Sequence, residues 1–229
     1  MNPDTIEDLY RLSPLQAGML LHELRSPDQE IYGVQVACRL TGPLAPDLFR
    51  RAWRHVLARH PILRTAFLSD RLEQPVQVVH RQVELPWHEE DLSAAPDPAA
   101  RLEELLAGDR ARRFDLDRPP LMRVTLARMG EADHRLVWSF HHLLLDGWSM
   151  PLVLREVVAC HDALARGRGP RRRPCRPTAT TSPGWTRRTR PRPSGSGGGS
   201  WPGLSGRRRW AWTGRPPPAN RASPSTTAR

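Results

Sequence analysis

Apolar positions along this chain recur with two periods, and the periods change at well-marked places. Between Asp47 and Arg59 the apolar residues Phe49, Ala52, Trp53, Val56 and Leu57 return every three or four positions, the spacing of one face of an α-helix. Ser13-Pro14 is a helix start, with a capping hydroxyl followed by a proline at the first helical position. Leu15, Met19, Leu20 and His22 follow it on a helical stripe. From Ile31 to Leu40 the pattern alternates instead, as in a half-buried strand. Leu63 to Leu68 and Val76 to His80 read as strands, Ala99 to Arg113 as a helix and Pro151 to Ala165 as an amphipathic helix. Leu121 to Ala127 and Arg135 to His142 read as two strands paired through a turn near Gly130. Glu89-Glu90-Asp91 reads as a short solvated acidic loop. Strand pairs mixed with helices in this order predict an α/β sandwich with a mixed sheet.

The patterning stops at Gly167. All 24 acidic residues precede residue 168, whereas 15 of the 35 basic residues lie within 168–229, so a net charge of +11 hides an acidic body and a strongly basic tail. Every basic residue is arginine, a bias expected of a GC-rich genome. Residues 168–229 contain no Val, Ile, Phe, Tyr or Met, and their only leucine is Leu204. Such a segment buries too little apolar surface to offset its ordering entropy, so disorder is expected there. A basic tail with Trp185, Trp201, Trp210 and Trp212 could also hold nucleic acid nonspecifically, through counterion release and base stacking.

Composition excludes several classes. Cys38, Cys160 and Cys175 have no framework spacing, which argues against a disulfide scaffold or structural zinc; the first two read as inert buried thiols. His22, His55, His60, His80, His88, His134 and His161 are scattered without ligand spacing, so no metal is expected. No phosphate-binding loop follows a strand, and no GxSxG elbow is present. The acidic start carries no signal-type apolar run and no segment reaches membrane-spanning length, which places the protein in the cytoplasm as an expectation.

The chemistry concentrates in His141-His142-Leu143-Leu144-Leu145-Asp146-Gly147. A buried strand that ends in two imidazoles presents them to opposite sides. One can sit in the core while the other faces a cleft, and a histidine titrates near neutral pH, as proton transfer to or from an amine requires. The bland reading of either ring is a core histidine with a satisfied hydrogen bond. That of Asp146 is a turn aspartate with local backbone bonds.

Three segments together resemble the condensation domain of nonribosomal peptide synthetases: Leu12–Leu20 (LSPLQAGML), Arg59–Phe67 (RHPILRTAF) and the His141–Gly147 pattern followed by Trp148-Ser149. The likeness covers about residues 5–166. It implies the N-terminal lobe of a chloramphenicol acetyltransferase-like fold, whose two lobes enclose a tunnel entered from opposite faces by carrier-bound thioesters. By that resemblance His142 is the catalytic histidine and His141 its structural support. Asp146 is expected to form a buried ion pair with Arg64. Gly147 is expected where a side chain would crowd the turn or tunnel, and Trp148 and Ser149 are candidates to line the tunnel. The implied partners are carrier proteins bearing phosphopantetheine, together with a missing C-terminal lobe or neighbouring synthetase domains. No directly bound cofactor, metal or membrane is implied.

Motifs of the second lobe do not follow. Read one base out of frame, Cys175–Thr186 (CRPTATTSPGWT) can encode PPYRDYIAWLD, a string of the kind the family carries after its histidine motif. The expectation is therefore a lobe at 1–167, a frameshift near Gly167–Gly169, and an out-of-frame tail at 168–229. A lone lobe is expected to be nearly inactive and to expose an apolar face. Two other readings remain: a coenzyme A-dependent acyltransferase of the same fold, and a noncatalytic remnant or basic-tail nucleic-acid binder.

Overall fold

The Ser13 cap forms as its sequence dictates. In the computed structural model, which describes residues 3–26, 31–69, 73–169 and 210–212, Ser13 Oγ accepts the Gln16 N–H and Gln16 Oε1 accepts the Ser13 N–H. This reciprocal box satisfies two donors that a helix start leaves orphaned, and it opens α1, Pro14–Arg25. The buried side of α1 differs from the expected stripe. Leu20 and Glu23 are enclosed, whereas Leu15 is 69% exposed and His22 is exposed. Helical periodicity fixed the period but not the phase, because Gln16 and Glu23, both polar, occupy the inner face.

The larger sheet has five strands: β2 (Gly33–Thr41), β5 (Trp87–Asp91), β6 (Met122–Gly130), β7 (Asp133–His141) and β8 (Trp210–Trp212). Their spatial order is β5-β6-β7-β2-β8. β5 runs parallel to β6 and the other pairs are antiparallel, so the mixed sheet is confirmed. β6 and β7 form the hairpin expected near Gly130, with Gly130 opposite Asp133. A second, antiparallel sheet joins β1 (Ile6–Arg11), β4 (Val76–His80) and β3 (Thr65–Leu68), in the order β1-β4-β3. The residues before β3, Pro61–Arg64, wind into a 3-10 turn rather than starting the strand at Leu63, as a proline at the first position favours.

Register sets the core. Val36, Trp138 and Val124 lie in one cross-strand row, Val34, Phe140 and Met122 in the next, and Cys38, Leu136 and Leu126 in a third. Two helices, α2 (Pro46–Arg59) and α4 (Ser149–Ala165), supply the facing layer with Phe49, Ala52, Trp53, Val56, Val153, Val157 and Cys160. Trp53 is fully buried with its ring centroid 5.1 Å from that of Trp138. All five apolar residues expected on α2 are buried. Cys38 and Cys160 are free and buried, and burial pushes the Cys38 thiol up to about 11, which leaves it unreactive as expected.

Three elements depart from the sequence reading. β1 is invisible in the hydrophobic pattern, because most of its residues stay exposed and its alternation is weak. The acidic loop is instead β5, an edge strand whose charges point outward to Arg101 and Arg128. Charged residues on an edge discourage further pairing. β8 pairs Trp212, Ala211 and Trp210 with Cys38, Arg39 and Leu40 of β2. The rest of the expected tail, residues 170–209 and 213–229, lies outside the described residues, as does the expected disorder there. α4 itself ends at a glycine with φ of 68°. Gly167 and Arg168 donate back to the carbonyls of Leu164 and Ala163 at 2.9 Å, a helix stop that favours glycine. Among the described residues no helix is long and apolar enough to cross a membrane.

Replacing Trp53 by alanine is expected to cost roughly 3–5 kcal/mol, whereas Leu15→Ala should change stability by less than about 0.5 kcal/mol. Urea unfolding of the two variants beside the parent chain measures the contrast.

Candidate active site

β7 places the two histidines differently because the strand stops between them. His141 is its last residue, and its N–H donates to the Leu121 carbonyl at 2.9 Å. The next N–H, that of His142, turns to the Tyr32 carbonyl at 2.8 Å. His141 is consequently 1% exposed and His142 only half-buried. His141 Nδ1 accepts the Leu143 N–H at 3.2 Å, which assigns the proton to Nε2. Burial, and secondarily the neighbouring His142, pull its pKa from 6.5 to about 4. It is a neutral ring holding the turn in shape.

His142 Nδ1 is enclosed and has no hydrogen-bonding partner among the described residues, and Nε2 is not enclosed. Around it lie α1 and the residues before β2. Gln16 Nε2 donates to the Leu143 carbonyl at 3.2 Å. The ring of Tyr32 stands 6.2 Å from that of His141, and its hydroxyl lies 2.9 Å from His22 Nδ1. The scattered sequence positions of His22 and Tyr32 gave no sign of this pairing. Two surface hollows of about 490 and 330 Å³ lie elsewhere, one beside His80 and Arg118 and the other beside Glu89 and His134. Among the described residues no cluster of three or more His, Cys, Asp or Glu could hold a metal.

Two expected contacts are corrected. Arg64 does not pair with Asp146. Its side chain is buried, and Nη1 donates to Glu7 Oε2 at 2.7 Å, to the Arg81 carbonyl at 3.2 Å and to the His80 carbonyl. This guanidinium ties β1 to the end of β4. Asp146 instead accepts the N–H groups of Trp148 and Ser149 at 3.2 and 2.7 Å. These bonds lower its pKa, the Ser149 contribution being largest. A carboxylate at the start of α4 also complements the helix dipole. Gly147 is exposed, its φ is not positive, and a Cβ added there would meet nothing within 4 Å. In this chain no crowding requires glycine at that position. Trp148 stands 86% exposed and Ser149 is half-buried.

Comparison with known proteins bears on the family and the fold. Residues 6–177 match the profile of a family described as the condensation domain. A linear gramicidin synthase protein of Brevibacillus parabrevis is 44% identical over 174 residues, which is 75% of this chain and 2% of that protein. Tyrocidine synthase 2 of the same organism is 36% identical over 163 residues, 70% of this chain and 4% of that protein. The solved starter condensation domain of rhizomide synthetase superposes with a TM-score of 0.67 at 25% identity, covering 74% of this chain and 42% of that one. The first condensation domain of the calcium-dependent antibiotic synthetase, in complex with a substrate analogue, gives 0.66 at 25% identity, covering 72% and 42%. The chain thus spans less than half of these solved chains and a few percent of the synthetases.

Two outcomes follow from the geometry. Below pH 6.5 an unfolded chain protonates His141 while the folded chain refuses the proton down to about pH 4. The His141 share of the stability lost on acidification between those values, on the order of 3 kcal/mol, should be absent in His141→Asn, which keeps an acceptor for Leu143, while the smaller shares of His80 and His134, whose pKa values are also lowered by burial, remain; unfolding midpoints recorded from pH 7 to 4.5 report it. In a double-mutant cycle, Arg64→Met and Asp146→Asn should add to within about 0.5 kcal/mol. A larger coupling energy would restore the ion pair.

Proposed function

Because the chain belongs to the condensation domain family of nonribosomal peptide synthetases, we propose that it carries the histidine-bearing lobe of a domain that forms amide bonds between carrier-bound substrates. The donor is an acyl or peptidyl thioester and the acceptor a carrier-bound amino acid, each on a phosphopantetheine arm. The amine nitrogen attacks the thioester carbonyl, the C–N bond forms, and the C–S bond breaks with release of the carrier thiol. The attacking amine must be neutral, and it loses a proton as the tetrahedral intermediate resolves.

The observation that carries this reading is the unequal placement of the two rings. His142 leaves the strand with Nε2 open and Nδ1 enclosed, while His141 is locked neutral beneath it. A ring with one nitrogen enclosed and the other reachable is suited to accept the amine proton or to hold the amine against the carbonyl. The Tyr32 carbonyl fixes the His142 backbone, and the Leu143 N–H bond to His141 fixes the turn beside it, which together orient the residue. His141 is the supporting group; Asp146 shapes the start of α4 and Arg64 holds the smaller sheet. Trp148 and Ser149 line the tunnel in this reading.

The lobe works with the remainder of its domain. Leu15, Trp148 and Leu152 are 69%, 86% and 54% exposed on segments that flank the histidine turn, and large exposed apolar side chains of this kind mark a contact surface. Covered by the second lobe, that face becomes one wall of the reaction chamber. Uncovered, it leaves His142 in water, where positioning and water exclusion are lost.

The test joins this lobe to the second lobe of a related condensation domain and supplies donor and acceptor thioesters on carrier proteins. Condensation should occur, and His142→Ala should lower kcat by roughly 10²–10⁴. The chain alone should show no turnover above buffer. Equal turnover with His142 replaced, or transfer from a free coenzyme A thioester but not from a carrier, would overturn the assignment.

A further inference from the structure

The face of the larger sheet turned away from α2 and α4 carries a polar row where an apolar one would be expected. Gln35, Ser139 and Arg123 are cross-strand neighbours on β2, β7 and β6. All three bond to one carboxylate, Asp109, near the end of α3 (Pro98–Ala111). Asp109 Oδ2 accepts from Gln35 Nε2 at 2.7 Å and from Ser139 Oγ, and Oδ1 accepts from Arg123 Nε. Arg123 Nη2 also donates to the carbonyls of Asp109 and Arg112 at 2.6 and 2.7 Å. Leu106 and Asp109 are the only buried residues of α3, so the helix is docked largely by this charge.

A buried ion pair is a poor source of net stability, because desolvation consumes most of the attraction. What this one does supply is placement. The chain leaves α3 at Arg112, and two residues later Phe114 lies under the Arg123 guanidinium, 4.2 Å from cation to ring centroid. The Phe114 ring stands edge-on to His141, with centroids 6.4 Å apart at 86°. His141 occupies the position on β7 next to Ser139 on the same face, and its Nδ1 holds the Leu143 N–H. An unbroken series of contacts therefore runs from Asp109 through Arg123, Phe114 and His141 to the turn that bears His142.

We infer that Arg123 and Phe114 are positioning residues for the histidine turn, with Asp109 as their anchor. They act through His141 and touch no substrate. The inference deepens the catalytic reading of His142 and rests on it for its functional consequence, but its structural content can be tested without turnover.

The experiment records imidazole ring signals of His141 and His142 in the full chain labelled with nitrogen-15 and carbon-13 histidine. The variants are Phe114→Leu, which keeps apolar volume but removes the π face, and Arg123→Lys, which keeps the charge but loses the fork. Val56→Ala, a core change on α2 outside the contact series, is the control for general destabilisation. Phe114→Leu and Arg123→Lys should displace the ring signals of both histidines and split those of His142 into more than one set, while Val56→Ala leaves them in place. Phe114 is half-buried, so its variant remains informative even where Arg123→Lys does not fold. In the lobe-completed domain Phe114→Leu should lower kcat about 10- to 100-fold with KM changed less than about twofold. Unmoved histidine signals in folded Phe114→Leu, or an equal displacement in Val56→Ala, overturns the inference. A normal kcat in His142→Ala alongside displaced signals would instead sink the catalytic reading and leave the positioning intact.

Discussion

A strand with neighbours on both edges and layers on both faces has no access to water for its backbone, so every N–H and C=O must find a partner in the ladder. β7 is under that constraint along its length. It pairs with β2 from Gly33 opposite His141 to Thr41 opposite Asp133, and with β6 from Met122 opposite Phe140 to Gly130 opposite Asp133. The position of every other element follows from this doubly paired strand. Its even-numbered side chains receive α2 and α4, its odd-numbered ones receive α3, and the point where its ladder ends decides which histidine is inside.

The two faces solve the burial problem by different means. On one, Trp138 packs between Val36 and Val124 and against Trp53, a contact that depends on shape and area. On the other, Ser139 shares the Asp109 carboxylate with Gln35 and Arg123. Burial alone would raise the Asp109 pKa, yet the bonds from Ser139, Arg123 and Gln35 hold it below the usual carboxylate value. The polar face tolerates little rearrangement, because a displaced member leaves a buried group unsatisfied. Directional bonds close to the histidine pair and non-directional packing away from it are the distribution expected of a fold that must fix one turn and merely support the remainder.

Much of this was legible in the residue pattern. The five buried residues of α2, the β6–β7 hairpin, the bounds of β4 and the Ser13 cap all depend on local spacing, which sequence displays directly. The elements that escaped depend on distant partners. β1 pairs with β4 some seventy residues later, and its own side chains are mostly exposed. Without β1 the partner of Arg64 cannot be found, because Glu7, the carboxylate that receives it, lies in that strand. The histidine motif draws attention to Asp146 as the nearest acid of interest, when local N–H groups already satisfy it. Asp109 is invisible for a related reason. An aspartate near a helix end is ordinary in sequence, and only the register of three strands shows that Gln35, Ser139 and Arg123 converge on it.

The histidine pair sits where the ladder gives way to a turn, its two N–H groups bonding to opposite neighbours of β7. The His142 N–H bonds to the carbonyl of Tyr32, the residue opposite it in the β2–β7 register, and the chain then closes a turn on itself, with Leu144 donating to the His141 carbonyl at 3.0 Å. The tripeptide Leu143-Leu144-Leu145 is what makes the turn favourable, since all three leucines are buried and their burial offsets the loss of ladder bonds. Two adjacent imidazoles thus reach opposite environments without a strained backbone at either: one is neutral and enclosed, the other half-open at the rim. That difference, produced by where a strand stops, separates a structural histidine from one able to meet a substrate.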